Sequence, residues 1–260
     1  MRLYDAHNHL QDDRFDGRQD ELIADCAAVG LTRMVVNGTY EGDWPSVAAL
    51  AKRHDCALPS FGLHPWFVHE RSAEWLAQLE QQLDALPSAV GEIGLDRWKP
   101  GLDYEGQEEV FTAQLRLAAE RDLPASIHCL KSWGRLLELL RAGPLRKRGF
   151  LLHSYGGPAE MVEPLARLGA YFSFPGAFGH ERKTRQRDAF RRMPPNRLLI
   201  ETDAPDQALP EDRVIHPLGQ RLNHPANIAA VYEAAAELLG QAPGDLAQRV
   251  EENFVRLFGS

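Results

Sequence analysis

His7 and His9 fall in the stretch YDAHNHLQD at residues 4–12, two residues apart and beside the carboxylate of Asp5. On an extended chain, positions two apart point to the same side, so these two imidazoles could grip one ion together. An isolated His-x-His is also compatible with an ordinary polar loop. The rest of the chain separates the two readings. His64 stands in GLHP, Glu92 in GEIGLD, His128 in SIHC, His153 in LLHS and Asp203 in ETDAP. Imidazole and carboxylate together form the ligand set of Zn²⁺, Mn²⁺ and similar ions. Glu92 lies inside an apolar run, where burying an unpaired carboxylate costs roughly several kcal/mol, so it needs a cation or strong donors. A carboxylate has two oxygens, and Glu92 could bridge two ions. His7, His9 and Asp203 would then complete the first ion, and His128 and His153 the second.

Such residues are useful only if the chain brings them together. Short apolar runs alternate with amphipathic stretches. Strands are predicted at 2–7, 32–38, 57–64, 88–95, 124–129, 149–154, 170–174 and 197–202. Helices are predicted at 18–29, 43–54, 73–86, 104–122, 132–142, 158–168, 183–193, 225–240 and 243–259, with Pro225 and Pro243 marking the last two starts. Strands alternating with helices imply parallel pairing through right-handed crossovers. The expected fold is therefore an α/β (β/α)8 TIM barrel, one domain over residues 1–260, with an additional C-terminal helix. A doubly wound open sheet is the competing arrangement. A barrel gathers the C-terminal strand ends on one face, where active sites lie. The His and carboxylate positions above fall at those ends, while strands two and seven offer nothing comparable.

Bulk properties narrow the function. Of 260 residues, 44% are hydrophobic and 25% charged, an ordinary globular composition. No apolar run reaches the length of about 18 residues that would suggest a membrane span. The N-terminus lacks an apolar stretch of signal-peptide type, so a cytoplasmic protein is expected. Cys26, Cys56 and Cys129 are odd in number and far apart, which suits free thiols rather than a disulfide framework. The formal charge of −8 is unlike that of a sequence-independent nucleic-acid binder. Basic stretches at 146–148 (RKR) and 180–192 (HERKTRQRDAFRR) read as solvated surface.

The ordered set DAHNHL (5–10), GLHP (62–65), GEIGLD (91–96), SIHC (126–129), LLHSYGG (151–157) and ETDAP (201–205) resembles the TatD family of metal-dependent hydrolases, the TatD DNases of the amidohydrolase-like barrel superfamily. NHPANI at 223–228 resembles that family's late Asn-x-Pro segment, and the resemblance spans essentially the whole chain. It implies metal ligands at His7, His9, Glu92, His128, His153 and Asp203, two divalent ions (Mg, Mn or Zn) with Glu92 bridging, and His64 near the substrate. It further implies a 3′–5′ exonuclease acting on single-stranded or short DNA ends. Asp203 is the candidate acceptor of the nucleophile's proton. For Glu201 two roles stay open, the same proton transfer or orientation of a water. His64, Lys131 and Arg97 could bind phosphate, and Trp66 and Tyr155 could stack on a base. Lys131 stands where many relatives carry arginine, a departure that bears on substrate preference. An amidohydrolase or esterase acting on a small molecule, another phosphoester substrate, and a non-catalytic metal-binding protein are the alternatives. No membrane association and no obligate protein partner are expected.

Overall fold

A computed structural model describes residues 1–144 and 147–259. Arg146 of the basic RKR stretch lies outside them. Eight strands run in the order of the sequence around one sheet, each consecutive pair parallel. They are β1 (Leu3–Asn8), β2 (Leu31–Asn37), β3 (Ala57–Phe61), β4 (Ala89–Asp96), β5 (Ala125–Leu130), β6 (Phe150–Leu152), β7 (Ala170–Phe174) and β8 (Leu198–Ile200). Between them lie α1 (Gln19–Ala28), α2 (Trp44–Arg53), α3 (Trp75–Ala85), α4 (Tyr104–Glu120), α5 (Trp133–Ala142), α6 (Val162–Arg167) and α7 (Thr184–Phe190). After β8 come α8 (Ile228–Leu239) and the additional C-terminal helix α9 (Pro243–Phe258). This is the (β/α)8 barrel expected from the alternation, not an open sheet.

The strands read as unbroken apolar runs because both their faces are covered. Every residue of β1, β3, β4 and β7 is buried, as a parallel sheet wrapped by helices requires. The ring closes between the first and last strands. His9 N–H donates to the Ala204 carbonyl (2.8 Å), and Asp203 N–H donates to the His7 carbonyl (2.9 Å). Asp5 reinforces the seam by accepting from Thr202 N–H (3.0 Å) and the Thr202 hydroxyl (2.5 Å).

The C-terminal helices brace the same seam from outside. Asn253 on α9 donates to the Leu198 carbonyl at the start of β8 (2.9 Å). Tyr232 on α8 donates its hydroxyl to the Tyr4 carbonyl (3.0 Å) and accepts from Tyr4 N–H (3.1 Å).

Three strands are shorter than their apolar runs: β3 ends at Phe61, three residues before the expected end at His64, and two others stop early as well. β6 ends at Leu152 and β8 at Ile200, whereas the pattern extended each by two residues at its C-terminal end. The chain turns just there, with Ser154 and Asp203 both in the left-handed region (φ 45° and 51°). The helix expected over 158–168 splits into a 3₁₀ turn at Ala159–Met161 and α6. Pro164 lacks an N–H and so fits only in the first α-helical turn, which fixes α6 to begin near Val162. Among the described residues no helix is long and apolar enough to cross a membrane.

Removing the hydroxyl in Tyr232→Phe is expected to cost about 1–3 kcal/mol. Thermal unfolding should show it as a midpoint lowered by roughly 2–4 °C per kcal/mol. An unchanged midpoint would mean that the hydroxyl does not hold the seam.

Candidate metal centre

All six residues expected to bind metal converge at the C-terminal mouth of the barrel, and Glu92 stands at their centre. It is buried in the middle of β4. Gly94 lets β4 approach β5, since a Cβ there would collide with the His128 carbonyl oxygen. The two oxygens of Glu92 face different partners. Oε2 lies 3.3 Å from His7 Nε2 and 3.2 Å from His9 Nε2. Oε1 lies 2.9 Å from His153 Nε2 and 3.2 Å from His128 Nδ1. Asp203 Oδ1 completes the first group at 3.6 Å from His7 Nε2 and 3.5 Å from His9 Nε2.

Hydrogen-bond partners fix which ring nitrogens carry protons. His9 Nδ1 donates to the Asn37 carbonyl (2.8 Å), because a carbonyl can only accept. The neutral ring therefore turns a bare Nε2 lone pair toward two carboxylates and, at 3.3 Å, toward His7 Nε2. His128 Nε2 donates to Asp96 Oδ2 (3.1 Å), which leaves its Nδ1 lone pair facing Glu92. His7 Nδ1 is engaged with Ser126 Oγ (2.8 Å). Lone pairs aimed at anionic oxygens repel unless positive charge lies between them. Outer partners that fix the inward nitrogen are the usual support of a metal-binding imidazole.

The spacing fits a metal as well. Ligand atoms about 2.1 Å from a tetrahedral ion stand about 3.4 Å apart. Five of the six separations among His7, His9, Glu92 and Asp203, all those that involve an imidazole, span 3.2–3.6 Å.

Electrostatics point the same way. Burial would raise the Glu92 pKa, but the imidazoles of His153, His64 and His7 hold it well below the usual carboxylate range. Burial would lower His9, yet Asp203 and Glu92 hold it well above its ordinary value. His153 is raised against burial by Glu92 and Glu201, and His128 by Asp96 and Glu92. Without metal, protons therefore take up the demand of this site for positive charge.

His64 differs from the other histidines. Its Nδ1 accepts from Trp66 N–H (3.2 Å), so its Nε2 carries the proton and points at Glu92 Oε1 from 3.5 Å. That makes it a donor beside the cluster rather than a bare ligand. A cavity of about 410 Å³ opens above, lined by His64, Glu92, His128, His153 and Asp203 together with Trp66, Trp98 and Leu130.

Three sequence expectations need correction. Tyr155 is fully buried, packed edge-on against Trp133 and Phe172, with its hydroxyl donated to the Pro158 carbonyl. It does not line the cavity and cannot stack on a substrate base. Lys131 is exposed, lies at a turn with φ 53°, and leaves that wall to Cys129 and Leu130. Glu201 is also fully buried, behind His153. Its Oε1 accepts from Ser154 N–H (2.8 Å) and the Ser154 hydroxyl (2.7 Å), and its Oε2 accepts from Ser173. It is a positioning residue, 3.7 Å from His153 Nδ1, with no free oxygen turned to the cavity.

Arg97 is bound to Glu108 (3.3 Å) and lies outside the cavity lining. Trp66 does reach the cavity, but its indole N–H is held by Asp96 (2.7 Å), and the Lys99 ammonium lies 4.7 Å from its ring centre.

Sequence reasoning missed Asp96 and Trp98. Burial pushes the Asp96 carboxyl up, but hydrogen bonds from His128, Trp66 and Trp98 N–H hold it at about 2. Its place at the end of GEIGLD was the available signal. Trp98 is 57% exposed and lines the cavity.

The family model described as TatD related DNase matches residues 4–259. The metal-dependent hydrolase YjjV of Escherichia coli K12 is 30% identical over 260 residues, 99% of this chain and 98% of that protein. The 3′-5′ ssDNA/RNA exonuclease TatD of Citrobacter koseri is 32% identical over 263 residues, 99% of each. The crystal structure of YjjV superposes with a TM-score of 0.91 at 29% identity, covering 99% of this chain and 98% of the other. A TatD-family hydrolase from Entamoeba histolytica, at 20% identity and TM-score 0.88 over 100% of this chain and 99% of its own, shares the fold.

Because metal must displace protons from His9, His128 and His153, adding Mn²⁺ or Zn²⁺ to chelator-stripped protein is expected to acidify a weakly buffered solution. Affinity, followed by calorimetry, should weaken as pH falls. Uptake without proton release would contradict this picture of protonated ligands.

Proposed function

We propose that this chain, which belongs to the TatD-related DNase family and is a metal-dependent hydrolase of that family, removes nucleotides from the 3′ end of single-stranded or short DNA with two divalent ions in its cavity. The observation that carries this reading is the division of Glu92, one oxygen to His7 and His9 and the other to His128 and His153. One ion is assigned to His7, His9, Glu92 and Asp203, and the other to Glu92, His128 and His153. Mg²⁺, Mn²⁺ and Zn²⁺ all suit mixed imidazole and carboxylate donors. Such ions, when bound, acidify water and neutralise charge on phosphate oxygens.

The chain's own groups supply the rest. Asp203 borders the cavity and is placed to take the proton from the attacking water. His64 Nε2–H donates to a non-bridging phosphate oxygen. Asp96, Ser126 and the Asn37 carbonyl hold the ligand rings in their productive tautomers. Trp98 offers the face on which a base can stack.

The polarity and the single-stranded substrate follow the names of the exonuclease relatives, which also include RNA. The net charge of −8 favours short ends over a long duplex, whose phosphates would be repelled beyond the cavity. The three thiols are unpaired, which suits a reducing compartment such as the cytoplasm.

Digestion of an end-labelled single-stranded oligonucleotide tests the proposal. With Mg²⁺ or Mn²⁺, a 5′ label should shorten stepwise and a 3′ label should be released at once. Chelator and Glu92→Gln should each abolish both, with the variant still folded. If metal-loaded protein leaves the oligonucleotide intact but hydrolyses members of an amide and ester panel, the substrate is a small molecule. For Trp98→Ala, KM for the oligonucleotide is expected to rise about tenfold, the value of one stacked base, with a smaller effect on kcat. Loss of kcat alone would exclude a stacking role.

A further inference from the structure

Two fixed positive charges line the cavity, and they differ in what they already hold. Arg14 is committed, its guanidinium bound to both Asp12 (2.8 Å) and Asp206 (2.8 Å). Lys183 has no ion-pair partner for its ammonium among the described residues. It is half-buried, at the end of the 3₁₀ turn Glu181–Lys183 that leads into α7. Burial and the neighbouring Arg182 lower its pKa, so the charge is held there at a cost.

An ammonium taken partly out of water with no counter-charge is unfavourable unless something else supplies the anion. None of the carboxylates that would hold metal pairs with it. The segment after β7 brings no metal ligand, yet it sends Phe178, Lys183 and Gln186 to the cavity wall. Arg182 and Arg185 on the same segment are exposed and do not line the cavity, in an otherwise acidic protein. β7 stands three places from β4 in the ring, so Lys183 and Trp98 border different sides of the opening.

We propose that Lys183 binds a non-scissile phosphate, the one adjacent to the phosphodiester held at the cavity floor. It thereby selects chains that carry at least two phosphates. A strand would then cross the mouth with a base on Trp98, its reacting phosphate over Glu92, and its next phosphate on Lys183. The assignment rests on the nuclease reading above, and the experiment separates the two. Lys183→Gln and Lys183→Arg are compared with wild type on a short oligothymidylate and on bis(4-nitrophenyl) phosphate, which has one phosphate. Melting temperature monitors folding.

In Lys183→Gln the ratio of kcat/KM for oligonucleotide over small diester should fall about tenfold, the scale of one charge-assisted hydrogen bond. The log–log salt dependence of oligonucleotide affinity should become shallower by about 0.7, because one phosphate of the single strand is no longer neutralised. Lys183→Arg should retain most of the ratio. If wild type digests the oligonucleotide while Lys183→Gln keeps both ratio and slope, the assignment to Lys183 is wrong and the nuclease reading stands. Equal losses on both substrates would also overturn it, because they would place Lys183 at the scissile phosphate. A wild-type protein that cleaves the diester but not the oligonucleotide would remove both conclusions.

Discussion

A carboxylate buried in the middle of a barrel strand sets the terms for the rest of the molecule. Glu92 is 2% exposed and meets four imidazoles within 3.3 Å. Its charge is tolerable only because those rings, or cations that they would hold, compensate it. That need propagates outward. Three of the four rings are fixed by an outer hydrogen-bond partner, and the partners come from separate strands: the Asn37 carbonyl for His9 from β2, Ser126 for His7 from β5 and Asp96 for His128 from β4 itself, while His153 Nδ1 has only the Glu201 carboxylate at 3.7 Å. The strands must also lie at the right separation, which is why β4 carries glycine where it passes His128.

The cavity above this floor is asymmetric in its chemistry. Trp66, Trp98 and Leu130 make one side largely apolar and flat. The segments after β7 and β8 contribute Lys183, Gln186 and Asp206 to the other side. A polymer with alternating flat bases and charged phosphates matches such a division better than a compact neutral molecule does. Acidic residues dominate the chain as a whole, so attraction is confined to this mouth and falls away beyond it.

Much of this was legible in the sequence, for identifiable reasons. Barrel strands covered on both faces leave apolar runs, and the candidate ligands interrupt or follow those runs, Glu92 in the middle of β4 and the others toward or just past the strand ends. His7, His9, Glu92, His128, His153 and Asp203 could therefore be named from residue type and position alone. What failed were inferences from proximity in sequence. Tyr155 and Lys131 each sit two or three residues past a ligand, but the turns at Ser154 and Lys131 send the chain in other directions. Glu201 lies two residues before Asp203 and points behind His153, because Ser154 and Ser173 claim both of its oxygens. The Asn37 carbonyl could not be foreseen at all, since a main-chain acceptor has no signature in residue type.

The closing seam has a consequence for how the protein comes into being. Asp5 and Thr202 are joined across 197 positions, and the backbone of His7 is tied to Asp203. A growing chain that already holds His7 and His9 cannot complete the cluster proposed to hold an ion until Asp203 has emerged. The helices that brace the seam follow later still. Closure of the ring and assembly of the candidate first ion site therefore depend on the same two distant segments, and neither can precede the other by much.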